Sequence, residues 1–363
     1  MQDLQLLSKN TLIARVIGGT IEPLLSDRLP LFLKNTGNMQ AWLESRAIDS
    51  HRTNSRILKR ALRLAHKDDL TTVMAVNAAT ITDNYWVKPI DDVTTKYEDV
   101  RFKENMFDEL ALTGDVNSFD RPPSKTPELT NIGSFEKCWR LENGEWWMYK
   151  AGRSEELFSE LMAYHIGKAL WLPMAEYTAA NDFIKSRDFT DNAKVDFEPA
   201  FSIIGDTQDY IKTYVTLKEI GNTIAEQYVK MCYFDGLIYN MDRHEYNFGV
   251  LRNGDTGEIL SLAPLFDHNI SLISRGYPSR APSDALISDF TTLLRHTGQS
   301  IQIPEISESE FLSLAYKIPF KPPVTDSVQH PQEFTAKYLT NRQSALAKQN
   351  KDLLKLYPPN NKK

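Results

Sequence analysis

Cysteine is scarce in this chain: its 363 residues hold two, Cys138 and Cys232, far apart and without a C-x-x-C spacing at either. That excludes a disulfide framework and a zinc cluster, and it suits a reducing cytoplasm. No apolar run approaches the ~18 residues that a membrane-spanning helix needs. The opening MQDLQLLSKNTLIARV has neither a basic n-region nor a continuous apolar stretch, so no secretory leader is expected there. Positive charge is not in excess either. With 42 Lys and Arg against 48 Asp and Glu, the net charge of −6 excludes a polycation built to coat nucleic acid. What remains is 41% hydrophobic and 25% charged, the composition of a globular protein with a real core. The length fits one large domain or two unequal lobes.

Along the chain, residues 4–21 show short apolar runs broken at Ser8-Lys9-Asn10 and Gly18-Gly19, which reads as strands with turns. From about Asn38 the pattern is helical. Over residues 53–66, Leu58, Ala61, Leu62 and Ala65 share one face, while Arg52, Arg56, Arg60, Arg63 and Lys67 recur on the other. That basic stripe is either a solvated helix face or a docking patch for nucleic acid or an acidic partner. Residues 91–125 are irregular and acidic, end in a Pro-rich run, and read as a linker. Two aromatic-rich strands, residues 135–141 and 145–150, flank Asn143-Gly144, a strong hairpin signal. A helix is expected over 155–170, closed by Pro173, then strand-like pieces at 175–184 and 200–204. Helices are expected at 224–239, 282–297, 307–316 and 331–356. This order describes an α+β chain in which a small sheet-bearing lobe joins a larger, mainly helical one. We divide it into residues 1–125, with strands and the basic amphipathic helix; 126–205, a nucleotide-binding part; and 206–363, a helical catalytic lobe.

The densest chemistry lies in Asn240-Met241-Asp242-Arg243-His244-Glu245-Tyr246-Asn247-Phe248-Gly249, directly after a helix. A hairpin follows, with its turn at Asn253-Gly254-Asp255, and then Pro264-Leu265-Phe266-Asp267-His268-Asn269. Phosphoryl transfer needs one carboxylate to orient and deprotonate the attacking hydroxyl. It also needs a hard oxygen pair to hold Mg²⁺ against nucleotide phosphates. Asp242 fits the first role, and Asn247 with Asp267 the second. Taken singly, Asx residues are common turn formers and caps. An Asp and an Asn five residues apart, with a second Asp 25 residues after the first, make a far more specific pattern.

Those residues resemble the HipA-like serine/threonine kinases, whose catalytic loop reads N-x-D-x-H-x-x-N and whose metal-binding Asp stands in an L-x-P-x-Y/F-D context. Here the pattern falls on Asn240, Asp242, His244 and Asn247, then on Leu262, Pro264, Phe266 and Asp267. The D-R-H-x-x-N wording is also similar to that of the phosphoinositide kinases. The resemblance spans about residues 127–297. The first 120 residues match loosely, through stretches such as Asp83-Asn84-Tyr85-Trp86. It implies a bilobal protein-kinase-like fold with ATP and Mg²⁺ as cofactors. It also implies a protein substrate and a setting in which such enzymes act as toxins held by a DNA-binding antitoxin. His244 enters as a site residue with a structural role. No second histidine stands at ligand spacing from it, which speaks against transition-metal chemistry.

Upstream, Lys150 ends the strand Trp146-Trp147-Met148-Tyr149 and is placed to reach the α/β-phosphates, as the strand-borne lysine of protein kinases does. Glu160 on the next helix is its expected ion-pair partner, and Glu156, one turn earlier, is the alternative. There is no G-x-G-x-x-G. The stretch from Thr126 to Lys137 is instead similar to the G-x-x-x-K loop of HipA-like kinases, with Gly133 letting the backbone approach the phosphates. Thr130 and Ser134 are the hydroxyls beside it. Thr130 precedes the glycine by three residues, as the self-modified residue does in the resembling loops, and is preferred as the modified one. Ser134 is the other candidate, as modified residue or as donor to nucleotide. Phe183-Ile184-Lys185-Ser186 stands where a hinge to adenine would fall. Two other readings stay open: a small-molecule or lipid kinase on the same fold, and a pseudokinase serving as a binding or DNA-regulatory module. The absence of a membrane-anchoring basic amphipathic helix speaks against a lipid substrate. Retention of Lys150, Asp242, Asn247 and Asp267 together speaks against a pseudokinase.

Overall fold

Two glycines, Gly18 at φ +55° and Gly19 at +84°, make the tight turn between strands Thr11–Ile17 and Thr20–Pro23. Positive φ at both central residues is the hairpin turn that matches strand twist. Together with Leu4–Ser8 and Tyr85–Pro89 they form an antiparallel sheet in the order Thr20–Pro23, Thr11–Ile17, Leu4–Ser8, Tyr85–Pro89. The register sets Leu4 opposite Val16 and Leu6 opposite Val87, and these residues share a core with Trp42 and Leu43 from the helix Met39–Glu44. The computed structural model describes residues 2–115, 117, 124–278, 284–298 and 301–356. Its contacts divide the chain into two units of interleaved segments. The first holds residues 1–152, 180–203 and 249–260; the second holds 153–179, 204–248 and 261–363.

In the first unit the hairpin Lys137–Glu142 and Glu145–Lys150 turns at Asn143 (φ +53°) and Gly144 (+85°), as the Asn-Gly pair predicts. Strand Phe183–Arg187 pairs with its second arm, setting Lys150 opposite Ile184. The acidic stretch read as a linker carries two short helices, Tyr97–Val100 and Asp108–Thr113, and buries Val100, Phe102, Phe107 and Leu110. Arg121 to Pro123 of that stretch lie outside the described residues.

Two expectations are corrected here. Residues 201–204 are a helical turn, and the strand is Val195–Pro199 instead, paired with Gly249–Asn253. Its alternation is inverted. The inward residues are Asp196 and Glu198, which a hydrophobic pattern cannot reveal. The basic helix spans only Ser55–Ala61, with Arg63 at φ +60° and His66 at +62° beyond it, and Ala65 is exposed. Arg56, Arg60, Arg63 and Lys67 are exposed, but Arg52 is not part of that face. It lies before the helix, buried, between Glu128 (3.5 Å) and Glu136 (3.7 Å), and it donates to the carbonyls of Ala111 and Lys137.

Asp196 carries a pH prediction. Its Oδ1 accepts from the Asn84 N–H (2.9 Å) and Nδ2 (2.6 Å), while its buried Oδ2 has no hydrogen-bond partner. Burial, then the nearby charges of Asp83 and Glu198, outweigh the Asn84 bonds and push its pKa up to about 7. A carboxyl whose folded pKa is raised stabilises fully below its unfolded value, near 4, and loses that contribution as pH rises through 7. The loss is up to about 4 kcal/mol. Asp196→Asn stays neutral throughout, so its melting temperature should gain on wild type between pH 5 and pH 8. A difference that stays flat over that range would contradict the assignment.

The second unit is mainly helical: Ser154–Ala169, Tyr210–Ile220, Asn222–Ile238, Ala285–Thr297, Glu308–Lys317 and Pro331–Leu356. Tyr210–Ile220 is a helix beyond those expected from the sequence, and Asp209 caps it by accepting the N–H groups of Ile211 and Lys212. Fully buried Arg342 ties the last helix to the others. It donates to the Gly236 carbonyl (2.6 Å) and to Asp284, which also caps Ala285–Thr297. Among the described residues no helix is long and apolar enough to cross a membrane.

Candidate active site

The helix Asn222–Ile238 ends at Tyr239, whose left-handed φ of +54° turns the chain into the loop 240–248. Inside that helix Asp235 stands in an apolar run, buried, and it organises the start of the loop. Its carbonyl accepts the Asn240 N–H and its carboxylate accepts Asn240 Nδ2 (2.8 Å). The same carboxylate takes both Nε (2.9 Å) and Nη2 (3.0 Å) of Arg243, a bidentate pair out of water. Asn240 in turn accepts the Asp242 N–H through Oδ1 (3.2 Å).

Asn247 is fixed by its amide. Nδ2 donates to the Asp242 carbonyl at 2.8 Å and lies 3.4 Å from the Asp242 carboxylate. The Tyr246 N–H lies 3.2 Å from His244 Nδ1, a contact through which the imidazole braces the loop. Asp242 is half-buried. Burial and, after the opposing pull of His244, the Asp267 carboxylate raise its pKa above the ordinary carboxylate value.

Asp267 has φ +60°, a strained backbone for a residue other than glycine. Its N–H donates to the Tyr177 hydroxyl (3.1 Å), and the next N–H, of His268, donates to Glu160 Oε1 (2.9 Å). Glu160, fully buried on Ser154–Ala169, thus holds the backbone just past the second carboxylate. Glu156, one turn earlier, caps its own helix through the Arg153 N–H (2.9 Å) and pairs with Arg153 and Arg275, each at 3.1 Å.

The structure brings Asp242, His244 and Asn247 into one bonded loop in the second unit, where Asp267 and Glu160 also lie. Lys150, Gly133, Ser134 and Thr130 belong to the first unit. There Lys150 is buried at the strand end opposite Ile184. Gly133 has φ +117°, a backbone conformation that favours glycine, and the Lys137 ammonium folds back against it. Ser134 is exposed. Thr130 is not: it closes the short helix Pro127–Thr130, buried, with its hydroxyl donating to the Ala79 carbonyl (2.7 Å). Of the two hydroxyls beside the glycine, Ser134 is thus the exposed one, while Thr130, preferred on its spacing, is bonded inside the fold. Lys185 of the expected hinge pairs with Glu142 (2.5 Å) within the sheet strand Phe183–Arg187.

Sequence reasoning missed Asp235, Arg243 and Tyr177. One signal was present, since an Asp within Cys232-Tyr233-Phe234-Asp235-Gly236-Leu237 needs a buried partner. The donor set suits a hard divalent cation. With its Nδ2 committed to the Asp242 carbonyl, Asn247 would offer Oδ1 and Asp267 its carboxylate to such an ion. Among the described residues no three His, Cys, Asp or Glu gather as a cage. Mg²⁺ does not require one, because it is commonly held by one or two protein oxygens plus phosphates and water.

No protein-family model and no curated protein matches the chain. Among solved structures, the Helicobacter pylori proinflammatory kinase CtkA overlays 61% of this chain and 94% of its own, at 19% identity and a TM-score of 0.47. HipA of Shewanella oneidensis MR-1, from a toxin–antitoxin complex of HipA, HipB and its operator DNA, overlays 95% of this chain and 97% of its own. That match has a TM-score of 0.56 and 12% identity. Over nearly the full length of both chains, this protein has the kinase-like fold of HipA.

Proposed function

We propose that the protein is an ATP- and Mg²⁺-dependent phosphotransferase acting on a serine or threonine hydroxyl of a protein substrate. The observation that carries the reading is the loop around Asp242 and Asn247, bonded through Arg243 to the carbonyls of Asn247 and Phe266, the residue before Asp267. Asp242, half-buried and with a raised pKa, orients the acceptor hydroxyl and takes its proton as the γ-phosphorus–oxygen bond to the nucleotide breaks. Asn247 and Asp267 would hold Mg²⁺, which when bound neutralises charge on the phosphates. His244 keeps the loop in shape, and Glu160 and Tyr177 keep Asp267 in its left-handed backbone. Lys150 would pair with the α/β-phosphates, and the Gly133–Ser134 backbone would cover them.

A cytoplasmic setting and a DNA-binding antitoxin partner go with this reading, on the likeness to a HipA found with HipB and operator DNA. The experiment is incubation with γ-labelled ATP and Mg²⁺, read first for self-phosphorylation and then against a cell extract. Label on protein hydroxyls supports the reading. Label passing only to a small molecule or lipid favours the alternative substrate class, and absence of any transfer favours a pseudokinase.

Self-modification carries its own expected result. Mass spectrometry after incubation with Mg²⁺-ATP should find phosphate on Ser134 and none on Thr130, whose hydroxyl is bonded inside the fold. A phosphate adds about −1.5 to −2 charges where nucleotide phosphates belong, so the modified form should bind ATP more weakly. Active enzyme with no phosphate between Thr126 and Lys137, or with Thr130 modified, contradicts it.

A further inference from the structure

The chain leaves the second unit after Phe248 and returns at Ser261, so Asn247 and Asp267 stand near the two ends of an excursion. Their spacing needs a local tie, and one side chain supplies it. Arg243 Nη1 donates both to the Asn247 carbonyl and, at 2.9 Å, to the Phe266 carbonyl, while its Nε and Nη2 are held by Asp235. One planar guanidinium therefore joins the backbone of one candidate metal ligand to the peptide preceding the other. Its own orientation is set by a carboxylate on a core helix. Lysine could not reproduce this, since a single ammonium has no fork to engage a carboxylate and two carbonyls at fixed angles.

We propose that Arg243, oriented by Asp235, is a positioning residue that fixes the distance between the metal-binding oxygens of Asn247 and Asp267. The pair contributes to catalysis through metal affinity and touches neither nucleotide nor acceptor. The proposal rests on the phosphotransferase reading above, and its test separates the two.

Mn²⁺ serves as the probe, its binding followed by electron paramagnetic resonance with a non-hydrolysable ATP analogue present. Arg243→Lys, and the double variant Arg243→Met with Asp235→Asn, should each weaken Mn²⁺ binding at least tenfold. Affinity for the analogue without metal should stay within threefold of wild type. The double variant leaves no buried charge unpaired, so it keeps the test open if the single variant folds poorly. Transfer rates in both should recover in part at saturating metal, which a purely structural lesion would not allow. Folded variants that bind Mn²⁺ as tightly as wild type would overturn the role of Arg243 alone. A wild-type protein with no nucleotide-dependent Mn²⁺ site would overturn this role and the phosphotransferase reading together.

Discussion

Asp242→Ala and Asp267→Asn should each lower phosphoryl transfer by about a thousandfold or more while leaving the melting temperature close to wild type. A positioned general base contributes roughly 10²–10⁴ to rate, and loss of a metal ligand removes the cation that screens the transferred group. The fold should tolerate both. Asp242 is half-buried and accepts a weak 3.4 Å contact from Asn247, and the main-chain bonds of its loop do not run through its carboxylate. Asparagine is the better replacement at 267, because it tolerates the left-handed backbone that this position adopts. Alanine there would mix backbone strain with loss of the ligand. Turnover within about tenfold of wild type in either folded variant would remove the residue from the mechanism.

A second large effect is expected far from the chemistry. Arg52→Ala should destabilise the protein by about 3–5 kcal/mol, because breaking a buried ion pair strands its partner. Here the partner is Glu128, fully buried, which accepts from the Trp139 N–H (2.7 Å), Asn105 (2.8 Å) and Asn131 (2.9 Å) as well as facing Arg52. Burial already raises the Glu128 pKa, and Arg52 is the largest influence opposing that rise. Pairing Arg52→Met with Glu128→Gln should recover part of the loss, since the fully buried Glu128 is then neutral and only the partly exposed Glu136 loses its partner. The loop that carries Gly133 and Ser134 begins and ends on this network, through Glu128 and Glu136, so nucleotide binding should fall with stability. A single variant that melts within about 2 °C of wild type would contradict a loss of that size.

Arg52 also marks the limit of what the sequence disclosed. Its spacing from Arg56 and Arg60 continues a basic stripe, yet it precedes the helix and turns inward to two glutamates far along the chain. Pairings of that kind leave no periodic trace. The strand Val195–Pro199 failed for the same reason: Asp196 and Glu198 take the inward positions, so the usual alternation is reversed. The spacing of Thr130 to Gly133 carries no sign that its hydroxyl closes a short helix against Ala79. Local signals did better. Asn143-Gly144 marked its hairpin, and the helix expected from Ser307 does start there, where Ser307 and Glu310 form a capping box. The loop from Asn240 to Asn247 was legible because its chemistry is contiguous. Asp235 braces that loop from five residues upstream, whereas Tyr177 and Glu160 brace Asp267 and His268 from distant stretches and became visible only in the fold.

The central claim, that this site transfers the γ-phosphoryl group of ATP under Mg²⁺, is tested most directly by a single-turnover reaction. Purified protein in excess over γ-labelled ATP should release or transfer the label in the presence of Mg²⁺, and chelation should stop it. The Asp267→Asn variant should retain the nucleotide but leave the label in ATP. Label that stays in ATP with wild-type protein, or that moves equally well without divalent metal or with Asn at position 267, would contradict the account.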